Sequence, residues 1–145
     1  IALNVIPWIG SGLDNRYTTE EMKMQNEGRR ILNRPDLLVT CTCVRVPVMR
    51  SHSIAVTVRT EQKISVEEAK EAVRRFPGCR LIEDGEGPGF PTPLDTSDQD
   101  LVWVGRVRED LTDECGLTLW CCGDQIRKGA ASNAVQILKL LAEKD

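Results

Sequence analysis

The stretch that decides the fold class is residues 101–123, LVWVGRVREDLTDECGLTLWCCG. Residues 101–110 and 116–122 are rich in Val, Leu and Trp, which is typical of strands, and the polar residues between them are typical of a turn. Strands joined by a short turn pair antiparallel. The stretch therefore predicts a hairpin at the centre of a mainly antiparallel sheet.

Helices are predicted at three places. Residues 18–33 begin with Thr18 and Glu21, the spacing of a capping box, and the helix is closed by the Arg–Pro pair at 34–35. Residues 65–76 begin in the same way, with Ser65 and Glu68, and carry apolar residues on one helical face. A third helix is predicted over residues 129–144.

Three further runs, residues 37–48, 52–60 and 79–84, read as strands, and residues 85–100 are predicted to be a loop because they are rich in Gly, Pro and Asp. The order is one helix, two strands, a helix, three strands and a helix, which is too few helices for a doubly wound parallel fold. We expect an α+β fold with a mostly antiparallel mixed sheet and helices on one face. We expect residues 1–145 to form a single domain.

The last predicted helix is apolar around more than one stripe. Ala131, Val135 and Leu138 fall on one face, but Ile137 and Leu140 lie outside it. A helix that is apolar over so wide an arc packs against two surfaces. The second surface belongs either to a missing part of the same protein or to a partner subunit.

Composition excludes several classes of function. The net charge of −3 and the absence of a Lys/Arg-rich run argue against nucleic-acid binding, and no apolar run is long enough to cross a membrane. The opening IALNVIPWIG has neither an initiator Met nor the charged start of a signal peptide, and reads as the interior of a longer protein. The six cysteines lack the spacing of a zinc site, and we expect no metal; reduced thiols in a cytoplasmic protein are the favoured interpretation.

Two segments carry the charges that binding chemistry would use. In the first helix, Glu20, Lys23, Glu27 and Arg30 lie on one side, either as a solvated face or as a site where Glu20 meets an ammonium and Lys23 an anion. In VRVPVMRSHS, residues 44–53, Arg45 and the sole histidine, His52, are either the exposed end of a strand or the wall of an anion site.

Arg45 and His52 cannot share a site on a straight strand. Seven residues separate them, so a continuous strand places their side chains on opposite faces. The chain must therefore break or bend between Pro47 and Ser51 if the anion-site interpretation holds.

The blocks NVIPWIG, YTTEEMKMQNEGRRIL, VRVPVMRSHS, FPTPLD, VGRVRED and GDQIRKGAASNAVQILKLL occur in the order found in the C-terminal half of aspartate-semialdehyde dehydrogenases, and the chain resembles that family over nearly its whole length. The resemblance implies an oxidoreductase that interconverts aspartate 4-semialdehyde and 4-phospho-aspartate with NADP and phosphate, on the route to lysine, threonine and methionine. It also implies a homodimer or homotetramer, and a fold similar to the C-terminal domain of glyceraldehyde-3-phosphate dehydrogenase.

The resemblance also implies a role for each matching residue. His52 corresponds to the catalytic acid/base, and Arg45 to the arginine that holds the substrate α-carboxylate. Glu20 corresponds to the residue that meets the substrate amino group, and Lys23 to the one that binds phosphate. Gln125 corresponds to a position near the nicotinamide end of the cofactor.

The chain departs from the family in ways that matter for activity. Ser51 stands where relatives commonly have Gly, and Gly28 interrupts the first helix. The family's N-terminal Rossmann domain, with its nucleophilic cysteine and dinucleotide loop, has no counterpart here, so we expect the chain alone to be inactive. Two alternatives remain: a non-catalytic dimerisation domain or degenerate paralogue, and an N-acetylglutamyl-phosphate reductase, against which EEMK and RVPVMRSHS argue.

Overall fold

The structure, a computed structural model, describes residues 1–83, 85 and 87–143. Its chain divides into two compact units, Ile1–Val48 and Met49–Asp145. None of the helices in the described residues is long and apolar enough to cross a membrane.

The first unit is organised around helix α1, Thr19–Ile31. Both halves of the predicted capping box are present, because the Thr18 hydroxyl accepts from the Glu21 N–H and the Glu21 carboxylate accepts from the Thr18 N–H at 2.8 Å. The same carboxylate accepts the backbone N–H of Cys43 at 3.0 Å. Glu21 therefore both starts the helix and holds the returning segment against its first turn.

The predicted strand over residues 37–48 is wrong. This segment has no regular strand, and its ladder pairing is limited to an isolated antiparallel bridge between Ile6 and Arg45. A strand needs a neighbouring strand to take its backbone hydrogen bonds. Here the N–H of Cys43 is taken by a side chain instead, and Pro47 has no N–H to offer.

The second unit is built on a four-stranded sheet in the order β1-β4-β3-β2. Its strands are β1 (His52–Arg59), β2 (Cys79–Leu81), β3 (Val102–Glu109) and β4 (Gly116–Gly123). β4 pairs antiparallel with both β1 and β3, and β2 pairs parallel with β3. The predicted α+β class with a mixed, mostly antiparallel sheet is confirmed.

The described residues of this unit form three regular helices. Helix α2, Val66–Arg75, starts at the predicted Ser65–Glu68 capping box and packs against β2 and β3. Helix α3, Pro93–Thr96, packs against β4, and helix α4 spans Ser132–Ala142.

The prediction that residues 85–100 form a loop is wrong in part, because these residues contain helix α3. Proline suits the first turn of a helix, where its missing N–H is not needed, and the Asp95 carboxylate accepts the Thr92 N–H at 2.8 Å. The predicted strand over residues 79–84 ends at Leu81, and its last residue, Asp84, lies outside the described residues.

The last helix begins later than predicted. Residues 127–131 form an irregular turn in which Gly129 has a φ of +81°, and the regular helix starts at Ser132. Its Val135, Leu138 and Leu141 side chains are all more than half exposed, in agreement with a helix whose apolar arc is built to be covered. Lys144, the end of the predicted helix, is not among the described residues.

One side of the sheet is closed by the segment that leads into α3. The carbonyl of Pro91 accepts from the indole N–H of Trp120 at 2.9 Å, and also contacts the thiol of the fully buried Cys122 at 3.4 Å. Gly105, opposite Trp120, allows this approach because a Cβ there would lie 2.8 Å from Cδ of Pro91. The fully buried Cys122 thus belongs to the hairpin that the sequence predicted, and the Pro91 segment covers it.

Candidate active site

In the second unit, His52 is the first residue of β1 and lies opposite Gly123, the last residue of β4. Its side chain is exposed. Two residues beyond the strand end, Gln125 turns back, and its Oε1 atom accepts the backbone N–H of Ser51 at 2.9 Å. The structure therefore places His52 and Gln125, separated widely in sequence, at the same end of the same strand pair.

Ser51 forms the sharp corner that leads into β1. Its φ is +75°, in the left-handed region that glycine adopts most easily, and it is buried. The break or bend that a shared site for Arg45 and His52 would require between Pro47 and Ser51 is present, since no strand covers residues 47–51 and the chain turns at Ser51. Glycine at this position would adopt the same dihedral angle without the strain that a Cβ brings.

An ion pair between the completely buried Asp124 and the partly exposed Arg50 lies directly beside the corner, and the sequence pattern did not predict it. Nη2 of Arg50 is 2.7 Å from Oδ2 of Asp124, whose side chain is completely buried, and 2.9 Å from Oδ1 of the exposed Asp98. Burial raises the pKa of Asp124, but hydrogen bonds from Arg50 and from the N–H groups of Asp98 and Ile126 outweigh it, so the pKa falls to about 2. The Asp124 carboxylate is therefore charged at neutral pH.

In the first unit, Glu20 lies in the first turn of α1, and Lys23, about one turn further on, contacts it. The Nζ atom of Lys23 donates to Oε2 of Glu20 at 3.0 Å, and both side chains are about half exposed. This hydrogen bond raises the pKa of Lys23. Two opposite charges one helical turn apart, open to solvent, can meet a ligand that carries both an ammonium and an anionic group.

Arg45 belongs to the same unit and is held by its backbone alone. Its N–H and C=O bond those of Ile6 at 2.9 and 3.1 Å, and its exposed guanidinium has no carboxylate partner within the described part of the chain. Cys43, two residues earlier, is tied to Glu21 in α1. Three of the predicted residues, Glu20, Lys23 and Arg45, thus belong to the first unit. The Glu21 carboxylate joins α1, which carries the first two, to the segment that carries Arg45.

Two of the cysteines are poorly suited to act as nucleophiles, and the described residues contain no cluster suited to a metal ion. The six cysteines are free thiols, and burial raises the pKa of both Cys43 and Cys121 to about 11, which keeps them protonated and poorly nucleophilic. Among residues 1–83, 85 and 87–143 no group of three or more His, Cys, Asp or Glu side chains is arranged to hold a metal ion.

Comparison with known proteins gives the family. Residues 1–128 match the family model described as semialdehyde dehydrogenase, dimerisation domain. The chain belongs to the semialdehyde dehydrogenase dimerisation-domain family. It corresponds to the C-terminal part of the aspartate-semialdehyde dehydrogenases that it matches.

Individual members of this semialdehyde dehydrogenase family agree over almost the whole chain. An aspartate-semialdehyde dehydrogenase of Synechocystis sp. is 49% identical over 144 residues, covering 99% of this chain and 43% of the relative. The crystal structure of the Vibrio cholerae aspartate semialdehyde dehydrogenase II in complex with ASA is 45% identical, with a TM-score of 0.93, covering 99% of this chain and 42% of that one. The chain thus spans about two fifths of the length of these relatives.

A more distant member shows the fold alone. The Candida albicans aspartate semialdehyde dehydrogenase with NADP is 23% identical, with a TM-score of 0.79 over 98% of this chain and 45% of that one. The α+β architecture of the semialdehyde dehydrogenase dimerisation domain is therefore kept where most of the sequence has changed.

Proposed function

We propose that this chain is the substrate-binding and dimerisation half of an NADP-dependent aspartate-semialdehyde dehydrogenase. The supporting observation is the meeting of His52 and Gln125 at one end of the β1–β4 pair, in a chain whose family is that of the semialdehyde dehydrogenases. The proposed reaction is the phosphate-linked interconversion of aspartate 4-semialdehyde and 4-phospho-aspartate, a step towards lysine, threonine and methionine in the cytoplasm.

His52 is the proposed acid/base. A histidine imidazole can both take and give a proton in catalysis, and the exposed position of His52 at a strand end leaves that imidazole accessible to a substrate. It would take the proton of a cysteine thiol supplied by the rest of the enzyme, which makes that thiol a nucleophile towards the aldehyde carbon.

Arg45, Glu20 and Lys23 are the proposed binding groups. The planar guanidinium of Arg45 can grip the substrate carboxylate with two parallel hydrogen bonds. The Glu20 carboxylate would hold the substrate ammonium, and Lys23 the phosphate. In the structure Glu20 and Lys23 neutralise each other at 3.0 Å, so each would exchange its neighbour for the oppositely charged group of a ligand.

Gln125 has the chemistry to meet the nicotinamide end of NADP. Its Oε1 atom is taken by the N–H of Ser51, which leaves the amide NH₂ as the group that can contact a ligand. A carbonyl acceptor such as the nicotinamide carboxamide fits that donor. NADP, when bound, accepts a hydride from the substrate; the domain that would hold most of it is expected outside this chain.

A second copy of the chain is the proposed partner. Ile54, Val56 and Val58 alternate along β1 and share a face, and Ile54 and Val58 are exposed. An exposed aliphatic row on a sheet is typical of an interface, and the family match names a dimerisation domain. In sedimentation velocity, Ile54→Lys should shift the full-length protein towards monomer, whereas Thr57→Lys, on the opposite face, should not.

The experiment that tests the function is reduction of NADP⁺ by aspartate 4-semialdehyde, with and without phosphate. It is run on the full-length protein and on this chain alone. Phosphate-dependent activity at full length only is the expected result. No activity at full length would favour the degenerate-paralogue alternative, and a preference for N-acetylglutamate semialdehyde would favour the related reductase.

A further inference from the structure

The ion pair of Arg50 and Asp124, in which the carboxylate is completely buried and the arginine side chain is 28% exposed, is not explained by stability alone. Removing the Asp124 charge and most of the Arg50 side chain from water carries a penalty that their attraction repays only with near-ideal geometry. Among the described residues, Nε of Arg50 is buried without any hydrogen-bond partner, so the guanidinium is incompletely satisfied. Apolar residues of similar size would serve packing as well or better.

The position of this pair suggests what it does. β1 and β4 are already paired along their whole length, from His52 opposite Gly123 to Arg59 opposite Gly116. The Arg50–Asp124 contact lies just beyond the His52 end of that ladder, where no backbone pairing continues. It therefore fixes the course of the two chain segments as they leave the sheet, rather than the register of the strands.

Both segments carry a proposed site residue next to the pair. Arg50 precedes His52 by two residues and Asp124 immediately precedes Gln125, while the Ser51 N–H joins the two segments at 2.9 Å through Gln125. The carboxylate of Asp124 is fully engaged, since Oδ2 also accepts from Asp98 N–H at 2.8 Å and Oδ1 from Ile126 N–H at 2.9 Å. Movement of either segment would strain several short bonds at once.

We propose that Arg50 and Asp124 are positioning residues, which hold the corner at Ser51 so that the imidazole of His52 meets its reaction partner in a fixed place. The inference rests on the proposed acid/base role of His52. Neither residue is required to touch substrate, so their loss should be felt in turnover and not in binding.

The test uses the full-length enzyme and the variants Arg50→Lys and Asp124→Asn. Each should lower kcat at least tenfold while the KM for aspartate 4-semialdehyde changes by less than about threefold. In Arg50→Lys the ammonium still pairs with Asp124 but lacks the two-pronged geometry of the guanidinium. The buried carboxylate therefore keeps a positive partner, and the variant should fold. The matched control is Arg59→Lys, because Arg59 pairs with Asp113 at 2.9 Å at the other end of the same strands; it should change neither constant more than twofold.

A double-mutant cycle separates positioning from general damage. If the pair acts through His52, adding Asp124→Asn or Arg50→Lys to His52→Ala should lower kcat by less than about twofold further. A full, multiplicative loss in the His52→Ala background, or unchanged kcat in the single variants, would overturn the positioning role. Near-normal turnover of His52→Ala by itself would instead overturn the proposed function, so the two failures are distinguishable.

Discussion

The backbone N–H of Ser51 donates a 2.9 Å hydrogen bond to Oε1 of Gln125, a residue 74 positions further along the chain. This contact gives Gln125 two separable parts: an oxygen that satisfies a buried corner and an NH₂ group that remains for a ligand. Gln125→Glu removes the NH₂ group alone, whereas Gln125→Leu removes both the NH₂ group and the acceptor oxygen.

Gln125→Leu should destabilise the protein, and Gln125→Glu should not. The Leu variant leaves the N–H of buried Ser51 without an acceptor, at a cost of about 1–3 kcal/mol. Both variants lack the NH₂ donor, so both should raise the KM for NADP in the full-length enzyme. Thermal unfolding and steady-state kinetics measure the two effects, and equal melting temperatures for the variants would contradict the assignment of the acceptor.

Ser51→Gly should be more stable than Ser51→Ala. Both lose the hydroxyl, which lies 3.4 Å from that of Ser97, but only Ala keeps a Cβ at a φ of +75°. We expect the free energy of unfolding in urea to differ by about 0.5–1 kcal/mol. The left-handed conformation penalises Ala, and the larger entropy that glycine gives the unfolded chain offsets part of that penalty. A less stable Gly variant would mean that the corner is not strained.

His52→Ala in the full-length enzyme should lower kcat by about a hundredfold or more, the usual contribution of a general acid/base, with little change in KM. His52→Gln is the matched comparison, because it retains a hydrogen-bonding side chain that cannot transfer protons. The acid/base assignment fails if the Gln variant turns over like the unchanged enzyme.

Arg45→Lys should lower kcat/KM for aspartate 4-semialdehyde by at least tenfold, a loss of roughly 1.4 kcal/mol, because the ammonium cannot reproduce a two-pronged grip on a carboxylate. The contact of Arg45 with Ile6 is made by the backbone and should survive the change. Arg30→Lys, an exposed position in the last turn of α1, serves as the control. Unchanged kinetics would leave Arg45 as a surface residue.

Asp124 should make the protein sensitive to acid. Its pKa of about 2 in the folded state is below its ordinary value of 3.8, so its stabilising effect is complete above about pH 4 and is lost as the pH falls through about 2. The melting temperature of the Asp124→Asn variant should therefore fall less between pH 4 and pH 2 than that of the unchanged protein. Asp36, whose pKa is also lowered to about 2 by a hydrogen bond from Arg34, is the control.

The two aspartates should respond differently. The Arg34–Asp36 pair is exposed and spans only two residues, so it forms partly in the unfolded chain as well and contributes less to folding. A decline flattened equally by Asp36→Asn and Asp124→Asn would show that the buried pair has no special part in acid stability.

The sequence predicted those parts of the fold that depend on neighbouring residues. The capping boxes at Thr18 and Ser65 and the hairpin of β3 and β4 depend on local pattern and local hydrogen bonds, and all are present. The strand over residues 37–48 was wrong because alternation describes a surface but supplies no partner strand. Helix α3 was missed because Pro and Asp are favoured both in turns and in the first turn of helices, so composition alone did not separate the two.

The predicted site divides in the same way. Glu20 and Lys23 could be paired from helical spacing alone, and the structure shows that pair. The contact of Arg50 with Asp124 depends on which residues of β1 and β4 face each other, and that register is a property of the folded sheet. The adjacency of Asp124 to Gln125 was the signal available, but nothing in the sequence connected it to Arg50.

The double use of Glu21 has a consequence for how this chain can change length. The Glu21 carboxylate accepts the N–H of Cys43, and Nε of Arg29 donates to the carbonyl of Leu37 at 2.7 Å. The segment between α1 and Arg45 is therefore held by hydrogen bonds near both of its ends. Lengthening a loop whose ends are already fixed costs little, since closure entropy grows only logarithmically with length. Insertions between Arg34 and Asp36 should therefore be tolerated without moving Glu20, Lys23 or Arg45, the proposed substrate-binding residues.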